Sequence, residues 1–184
     1  MSAKVTGLGH IGFYVQDLEL MKDFYANFIG MTMTKVSARG AFFSADPEAC
    51  DHEIAMMAGR PSLDDPQWIQ QISMRLDSLD DLRDFKRRII EKGYKIDRIV
   101  THASAIGCYF RDPENNPIEV FWMTGNTSWA QISIPIDIDQ SDEDVMADVQ
   151  RAFDVSQHVE MGKPATPEIA AAISKLASAA VVSR

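Results

Sequence analysis

The sequence predicts an α+β fold made of two successive β-α-β-β-β modules with a helical tail. Three observations carry this expectation. Short apolar runs of strand type surround one amphipathic helical segment between residues 5 and 60, and the same order returns between residues 67 and 125. Shifting the first half by 61 positions overlays Ile11 on Ile72, Val15 on Leu76, Leu18 on Leu79, Met21 on Leu82 and the Asp23-Phe24 pair on Asp84-Phe85. Self-similarity at a fixed offset marks a repeated structural unit. The remainder, residues 129–184, differs in kind and reads as a partly helical extension, so the boundaries expected are 1–128 for the paired modules and 129–184 for the tail.

The elements follow in order. Gly7 to Gly12 leads into Phe13-Tyr14-Val15, an apolar run of the buried-strand type. Asp17 suits a helix N-cap, and Leu18, Met21, Phe24, Tyr25 and Phe28 recur at helical spacing until Gly30 stops the helix. Strand-like runs follow at Met31 to Ser37, Ala41 to Ser44 and His52 to Met57. In the second half, Ile69 to Leu76 is the first strand, and Ser78 caps a helix carrying Leu79, Leu82, Phe85, Ile89 and Ile90, closed by Gly93. Tyr94 to Val100, Ile106 to Arg111 and Ile118 to Trp122 complete the module. Ile132 to Ile138 reads as extended. An acid-rich helix with Val145, Val149 and Phe153 follows, then a break at Gly162-Lys163-Pro164 and a helix opening at Thr166-Pro167-Glu168.

Composition narrows the function. The 184 residues carry a formal charge of -9, with 18 basic against 27 acidic residues. A nucleic-acid surface needs a basic stripe to release counterions, and an anionic membrane repels such a chain. No apolar run has the length of a membrane span. Cys50 and Cys108 make neither a disulfide scaffold nor a Cys-rich zinc site, so a cytoplasmic setting is expected.

Chemistry is expected on one strand face. Side chains alternate along a strand, so His10, Gly12 and Tyr14 share a face while Ile11, Phe13 and Val15 pack on the helix. Gln71, Ser73 and Arg75 form the matching face of the second module. Glu119 sits inside Ile118-Glu119-Val120-Phe121-Trp122, where a buried carboxylate calls for a cation or strong hydrogen-bond donors. His10, His52, Gln71 and Glu119 are thus the candidates for a metal-centred site, of the imidazole and carboxylate type that binds Fe(II) and also Mn, Ni, Co or Zn. Either His52 or Glu53 faces inward; one residue of register decides which. Phe13, Met33, Phe42, Phe43, Met56 and Phe121 are available as apolar walls or as core.

These residues resemble a known family. Gly9-His10-Ile11-Gly12-Phe13, Asp51-His52-Glu53-Ile54-Ala55, and Tyr109-Phe110-Arg111-Asp112-Pro113 with Asn116-Pro117-Ile118-Glu119-Val120-Phe121 are similar to the vicinal oxygen chelate superfamily of glyoxalase I, bleomycin-resistance proteins and type I extradiol dioxygenases. The likeness spans residues 5 to 125 and points most toward the extradiol dioxygenases. It implies mixed sheets curving around a metal cavity. It also implies metal ligands at His10, Gln71 and Glu119, an acid/base His52, a substrate-orienting Tyr109 and a further active-site histidine at His102. The substrate class implied is an aromatic vicinal diol, with dioxygen as co-substrate, Fe(II) as metal and a homodimer as assembly. One departure is Gln71, where those dioxygenases carry histidine; a neutral amide is a weaker ligand. The family also implies two alternatives, a glyoxalase- or epimerase-like metalloenzyme that stabilises an enediolate and a metal-free binding protein.

Overall fold

The computed structural model describes residues 10–50, 52–64, 69, 71–128, 130, 132–159 and 165–182. The expectations placed on Gly7 to Gly9, Asp51 and Gly162-Lys163-Pro164 lie outside the described residues. The chain forms two compact units. The first holds residues 1–68 and the turn Asp112–Asn116, and the second holds residues 69–111 and 117–184.

In the first unit, β1 (Ile11–Val15) is followed by α1 (Leu18–Asp23), which widens into a π-helical turn over Phe24–Ile29. Asp17 caps α1 by accepting from the Leu20 N–H at 3.0 Å. The wider turn buries Phe24, Tyr25 and Phe28 together, and Gly30 ends it at φ 91°. The strands β2 (Thr32–Ser37), β3 (Gly40–Ser44) and β4 (Ile54–Ala58) complete a mixed sheet of order β1-β4-β3-β2, with β1 parallel to β4 and the other pairs antiparallel. Phe13, Val15, Phe43, Ile54 and Met56 are buried with the aromatic side chains of the helix. Phe13, Phe43 and Met56 are therefore core and not walls of a site.

The second unit repeats the plan. β5 (Ile72–Leu76) runs into α2 (Leu79–Glu91), capped by Ser78, whose Oγ accepts from the Asp81 N–H at 3.1 Å. Then come β6 (Ile96–Thr101), β7 (Ala105–Arg111) and β8 (Pro117–Met123). The two-residue β9 (Ile134–Pro135) extends the sheet to the order β5-β8-β7-β6-β9. Both β1 and β5, and the starts of α1 and α2, stand 61 positions apart, as the repeat requires. α2 buries Leu79, Leu82, Phe85 and Ile89, but Ile90 is 58% exposed, because one residue is about 100° of helix rotation and carries it off the apolar stripe.

The tail belongs to the second unit. The extended run expected from Ile132 to Ile138 pairs as strand only over β9, antiparallel to Val100 and Thr101 of β6. Next come α3 (Asp142–Ser156), capped by Ser141, and α4 (Pro167–Val182). Arg83 of α2 grips the segment between β9 and α3: it donates to the carbonyls of Ile138 (2.7 Å) and Gln140 (2.9 Å) and pairs with Asp142 (2.7 Å). Lys86 pairs with Asp139 beside it. Ala103, Ile132, Ile134 and Ala152 form a small core covered by Phe153, Leu176 and Ala177. No helix among the described residues is long and apolar enough to cross a membrane.

Candidate functional site

Sheet register assembles the site. Ser73 pairs with Glu119, Glu119 with Tyr109, and Tyr109 with Arg98, so four neighbouring strands place these side chains in one row. The row lies on the face that Ile72, Ile118, Val120, Cys108 and Phe110 do not share, since alternate residues point to opposite faces. The apolar set packs with α2.

Glu119 is 6% exposed. Its Oε2 accepts the Ser73 hydroxyl at 2.5 Å and the Gln71 amide Nε2 at 3.0 Å. Gln71 also donates to Ser73 Oγ at 2.8 Å, so the three groups form a closed triangle in which each bond polarises the next. Oε1 faces His102 Nε2 at 4.0 Å. Neutral donors, with no lysine or arginine at ion-pair distance among the described residues, hold this buried carboxylate.

Gly107 makes the room. A Cβ on it would collide with Glu119 Oε1 and would stand 3.0 Å from Tyr109 Cε2 and 3.2 Å from Glu119 Cδ. Gly107 follows Ile106 in a strand that is buried along almost its whole length, and an isolated glycine in such a run signals a close approach.

Tyr109 has two acceptors for one proton. His102 Nε2 lies 2.9 Å from its hydroxyl oxygen, and Glu119 is its other partner. Burial, followed by the hydrogen bond to Glu119 and that group's charge, pushes the Tyr109 hydroxyl well above the usual phenol range. A hydrogen bond from Arg98, followed by its charge, opposes this in part; the same guanidinium lies 4.1 Å from the ring centroid. His102 Nδ1 donates to the main-chain carbonyl of Ile132 at 2.5 Å.

His10 and His52 lie in the first unit, with ring centroids 4.5 Å apart, and Phe42 meets His52 edge-on at 5.0 Å. Glu53 is exposed and turns away to accept the Ala45 N–H at 2.7 Å, so His52, not Glu53, is the residue beside His10. Of the residues singled out in the sequence, the second unit thus gathers Gln71, His102, Tyr109 and Glu119, while the first gathers His10 and His52. No group of three or more His, Cys, Asp or Glu side chains placed to hold a metal occurs among the described residues. A cavity in the tail, lined by Ile134, Asp137, Arg151 and Leu176 among others, shares no residue with the Glu119 row. Arg111 pairs with Asp97 at 2.8 Å.

Sequence reasoning missed Gly107, Arg98 and the Ile132 carbonyl. It also missed a buried network in the first unit. Glu114 Oε1 accepts the N–H groups of Gln16 and Asp17, both at 2.6 Å, and its Oε2 stands 3.6 Å from Arg60 Nη1. Asp112 holds the same turn by accepting from Glu114 N, Asn116 N and Asn116 Nδ2. Burial pushes the Asp112 carboxyl up to about 6, against those hydrogen bonds.

With this geometry in view, the chain belongs to the Glyoxalase/Bleomycin resistance protein/Dioxygenase superfamily, whose sequence profile matches residues 7–120. No curated protein sequence matches significantly. Solved structures share the fold. The fosfomycin resistance protein FosX of Mesorhizobium loti is 24% identical with a TM-score of 0.51, over 66% of this chain and 96% of its own. FosX of Listeria monocytogenes, solved with Mn(II) and sulfate, is 22% identical with a TM-score of 0.54, over 66% and 94%. Lactoylglutathione lyase of Agrobacterium tumefaciens is 17% identical with a TM-score of 0.52, over 65% and 96%. None of these is an extradiol dioxygenase, and the narrower likeness expected from the sequence finds no support among them.

Proposed function

We propose that the protein is a redox-neutral metalloenzyme of lyase or isomerase type, acting on a small oxygenated substrate whose enediolate or oxyanion it stabilises. The observation that carries this reading is Glu119, a buried carboxylate whose hydrogen-bond donors are the Ser73 hydroxyl and the Gln71 amide. Such a charge is costly to bury unless a cation joins it. The donor set fits a divalent ion: carboxylate, amide carbonyl and hydroxyl oxygens are hard ligands that suit Mn(II)-type cations better than a soft or redox-tuned site. In this reading Glu119 and Gln71, neighbours at 3.0 Å in the second unit, are ligands. When bound, the ion polarises the substrate oxygens as a Lewis acid.

The side chains do the rest. Ser73 orients the Glu119 carboxylate through its hydroxyl. Tyr109 directs its single proton toward His102 or toward Glu119, which suits it to steady an oxygen that gains charge. Phe121, on the Glu119 face of β8, supplies apolar wall.

The test uses full-length protein purified without chelator. Metal content is measured, the protein is loaded with Mn(II), Ni(II) or Zn(II), and α-hydroxycarbonyl compounds are followed under argon for deuterium exchange beside the carbonyl. Mn(II) is tried first because one fold-sharing protein was solved with it. Exchange without oxygen is expected. Glu119→Gln should weaken metal retention at least ~10-fold. Oxygen uptake with catechols after Fe(II) loading, without exchange, would instead restore the dioxygenase reading with Fe(II) and an aromatic diol. Tight ligand binding with neither metal nor turnover would identify a binding protein. A second copy of the chain as partner belongs to the same reading: β2 is an edge strand with Val36 57% exposed, and sedimentation at working concentration reads the assembly.

A further inference from the structure

We propose that the tail beyond the paired modules is a positioning part of the site: the main-chain carbonyl of Ile132 holds His102 as its Nδ1–H tautomer, leaving Nε2 to accept the Tyr109 hydroxyl proton. The inference rests on reading the Glu119 row as the active site.

The argument begins with hydrogen-bonding capacity. A carbonyl oxygen only accepts, so the His102 Nδ1 that lies 2.5 Å from Ile132 O must carry a proton. In the neutral ring Nε2 is then bare, and it lies 2.9 Å from the Tyr109 oxygen, so Tyr109 donates to it. The opposite tautomer would place two acceptors face to face at Ile132. It would also make Nε2 a donor to Tyr109 and turn the Tyr109 proton toward Glu119. The ring orientation therefore decides which of two acceptors takes that proton.

Both ends of the contact are fixed. His102 lies at a sharp bend: its N–H donates to Ala105 O at 2.8 Å, and the next residue, Ala103, is a fully buried alanine at φ 64°. A non-glycine residue in the left-handed region persists only where surrounding bonds hold it. Here Thr101 Oγ1 accepts the Ala103 N–H at 3.1 Å, and Thr124 Oγ1 donates to the Ala103 carbonyl at 2.6 Å. Ile132 is 4% exposed in the core that it shares with Ala103, Ile134 and Ala152. That core is closed by the tail helices, and the segment after β9 is clamped by Arg83. The family profile ends at residue 120, so the carbonyl that sets the ring comes from outside the shared modules.

Ring-nitrogen 15N NMR of full-length, 15N-histidine-labelled protein tests this without cation or substrate. His102→Gln assigns the signals by their loss. The expected result is one protonated and one bare ring nitrogen for His102, the protonated one being Nδ1. An Nε2–H ring, or an evenly mixed pair of tautomers, overturns the proposal. A second measurement combines Arg83→Ala with Ala152→Asp, which removes the clamp and places a charge in the tail core. As the amides of residues 132–159 lose exchange protection, the two nitrogen signals should collapse toward an average. An unchanged ring after the tail is released also overturns the proposal. If this variant unfolds the modules, the unmodified protein's spectrum still decides. A protein with the Nδ1–H ring that fails the deuterium-exchange assay loses the functional reading and keeps the tail-set tautomer of His102.

Discussion

Gly107→Ala tests the site's packing directly. Gly107 lies in mid-strand with no unusual backbone angle, so an alanine there should cost nothing, or gain slightly through chain entropy, if space allowed. Space does not allow it. The added methyl would overlap Glu119 Oε1 and press on Glu119 Cδ at 3.2 Å and Tyr109 Cε2 at 3.0 Å. The carboxylate cannot retreat freely, because Ser73 holds it at 2.5 Å and Gln71 at 3.0 Å. Overpacking a core costs about 1–3 kcal/mol, and giving up a hydrogen bond to a charged group costs about 1.5–3 kcal/mol. Partial relaxation of each gives a destabilisation of about 3 kcal/mol. The assay is urea unfolding of the unmodified protein, Gly107→Ala, Glu119→Ala and the double variant. In the Glu119→Ala background the obstacle is gone, and only the Tyr109 edge remains, so the added methyl should cost no more than about 1 kcal/mol, within the range for slight overpacking. The coupling energy is then about 2 kcal/mol, well within what contacting residues show. If Gly107→Ala costs the same in both backgrounds, Glu119 does not occupy the notch and the site geometry is wrong.

Three further outcomes follow from the first unit. Asp112 holds its proton more tightly in the folded state, at about 6, than an ordinary carboxyl at 3.8. Its contribution is therefore complete below pH 4 and is lost as pH rises through 6, a fall of about 3 kcal/mol at 1.36 kcal/mol per pH unit; Asp112→Asn should flatten that part of the stability profile, and identical profiles for the two proteins would refute it. Arg60→Ala leaves the Glu114 carboxylate buried without its cation and strips donors from the carbonyls of Ser62, Leu63 and Glu114, so urea unfolding should show a loss of about 3–5 kcal/mol. Tyr25→Phe should raise the thermal midpoint, by about 1 kcal/mol of stability, since the Tyr25 hydroxyl is buried without a partner among the described residues.

The repeat was legible because both modules start their strands and helices at matched positions, so the 61-residue offset survives sequence divergence. Glu119 was legible because a carboxylate in a run of Ile, Val, Phe and Trp is expensive without a reason. Other features had no side-chain signature. The Ile132 carbonyl is a backbone atom, and its role depends on β9 pairing with β6 over two residues. The first helix widens over Phe24–Ile29, where Phe24, Tyr25 and Phe28 are buried, and the 3.6-residue period of the apolar positions does not signal it. Glu114 lies in the turn between β7 and β8, yet its carboxylate accepts the N–H groups of Gln16 and Asp17, almost a hundred positions away. Glu53 and His52 were inseparable by alternation, and a loop hydrogen bond to Ala45 decided between them.

The two modules share a grid and differ in what fills it. The row Ser73, Glu119, Tyr109, Arg98 in the second sheet corresponds by pairing to Gly12, Ala55, Phe42, Lys35 in the first. Gln71 and His10 stand at equivalent positions, one residue before β5 and β1. Gly107 has its own counterpart: it pairs with Phe121, as Gly40 pairs with Met57. Both glycines are obligatory for lack of space, but the occupants differ. A Cβ at Gly40 would meet Met57 Sδ at 2.5 Å and Met56 O at 2.9 Å, whereas a Cβ at Gly107 would meet the Glu119 carboxylate. One position on the grid thus admits a thioether in one module and a charge in the other. An Ala55→Glu substitution would accordingly not recreate the second site in the first module, because Gly12 and Phe42 offer no hydroxyl donors in place of Ser73 and Tyr109. The new carboxylate would have His10 at the Gln71 position but would lack the hydroxyl that Ser73 donates to Glu119 at 2.5 Å, so the closed triangle of the second module would not form.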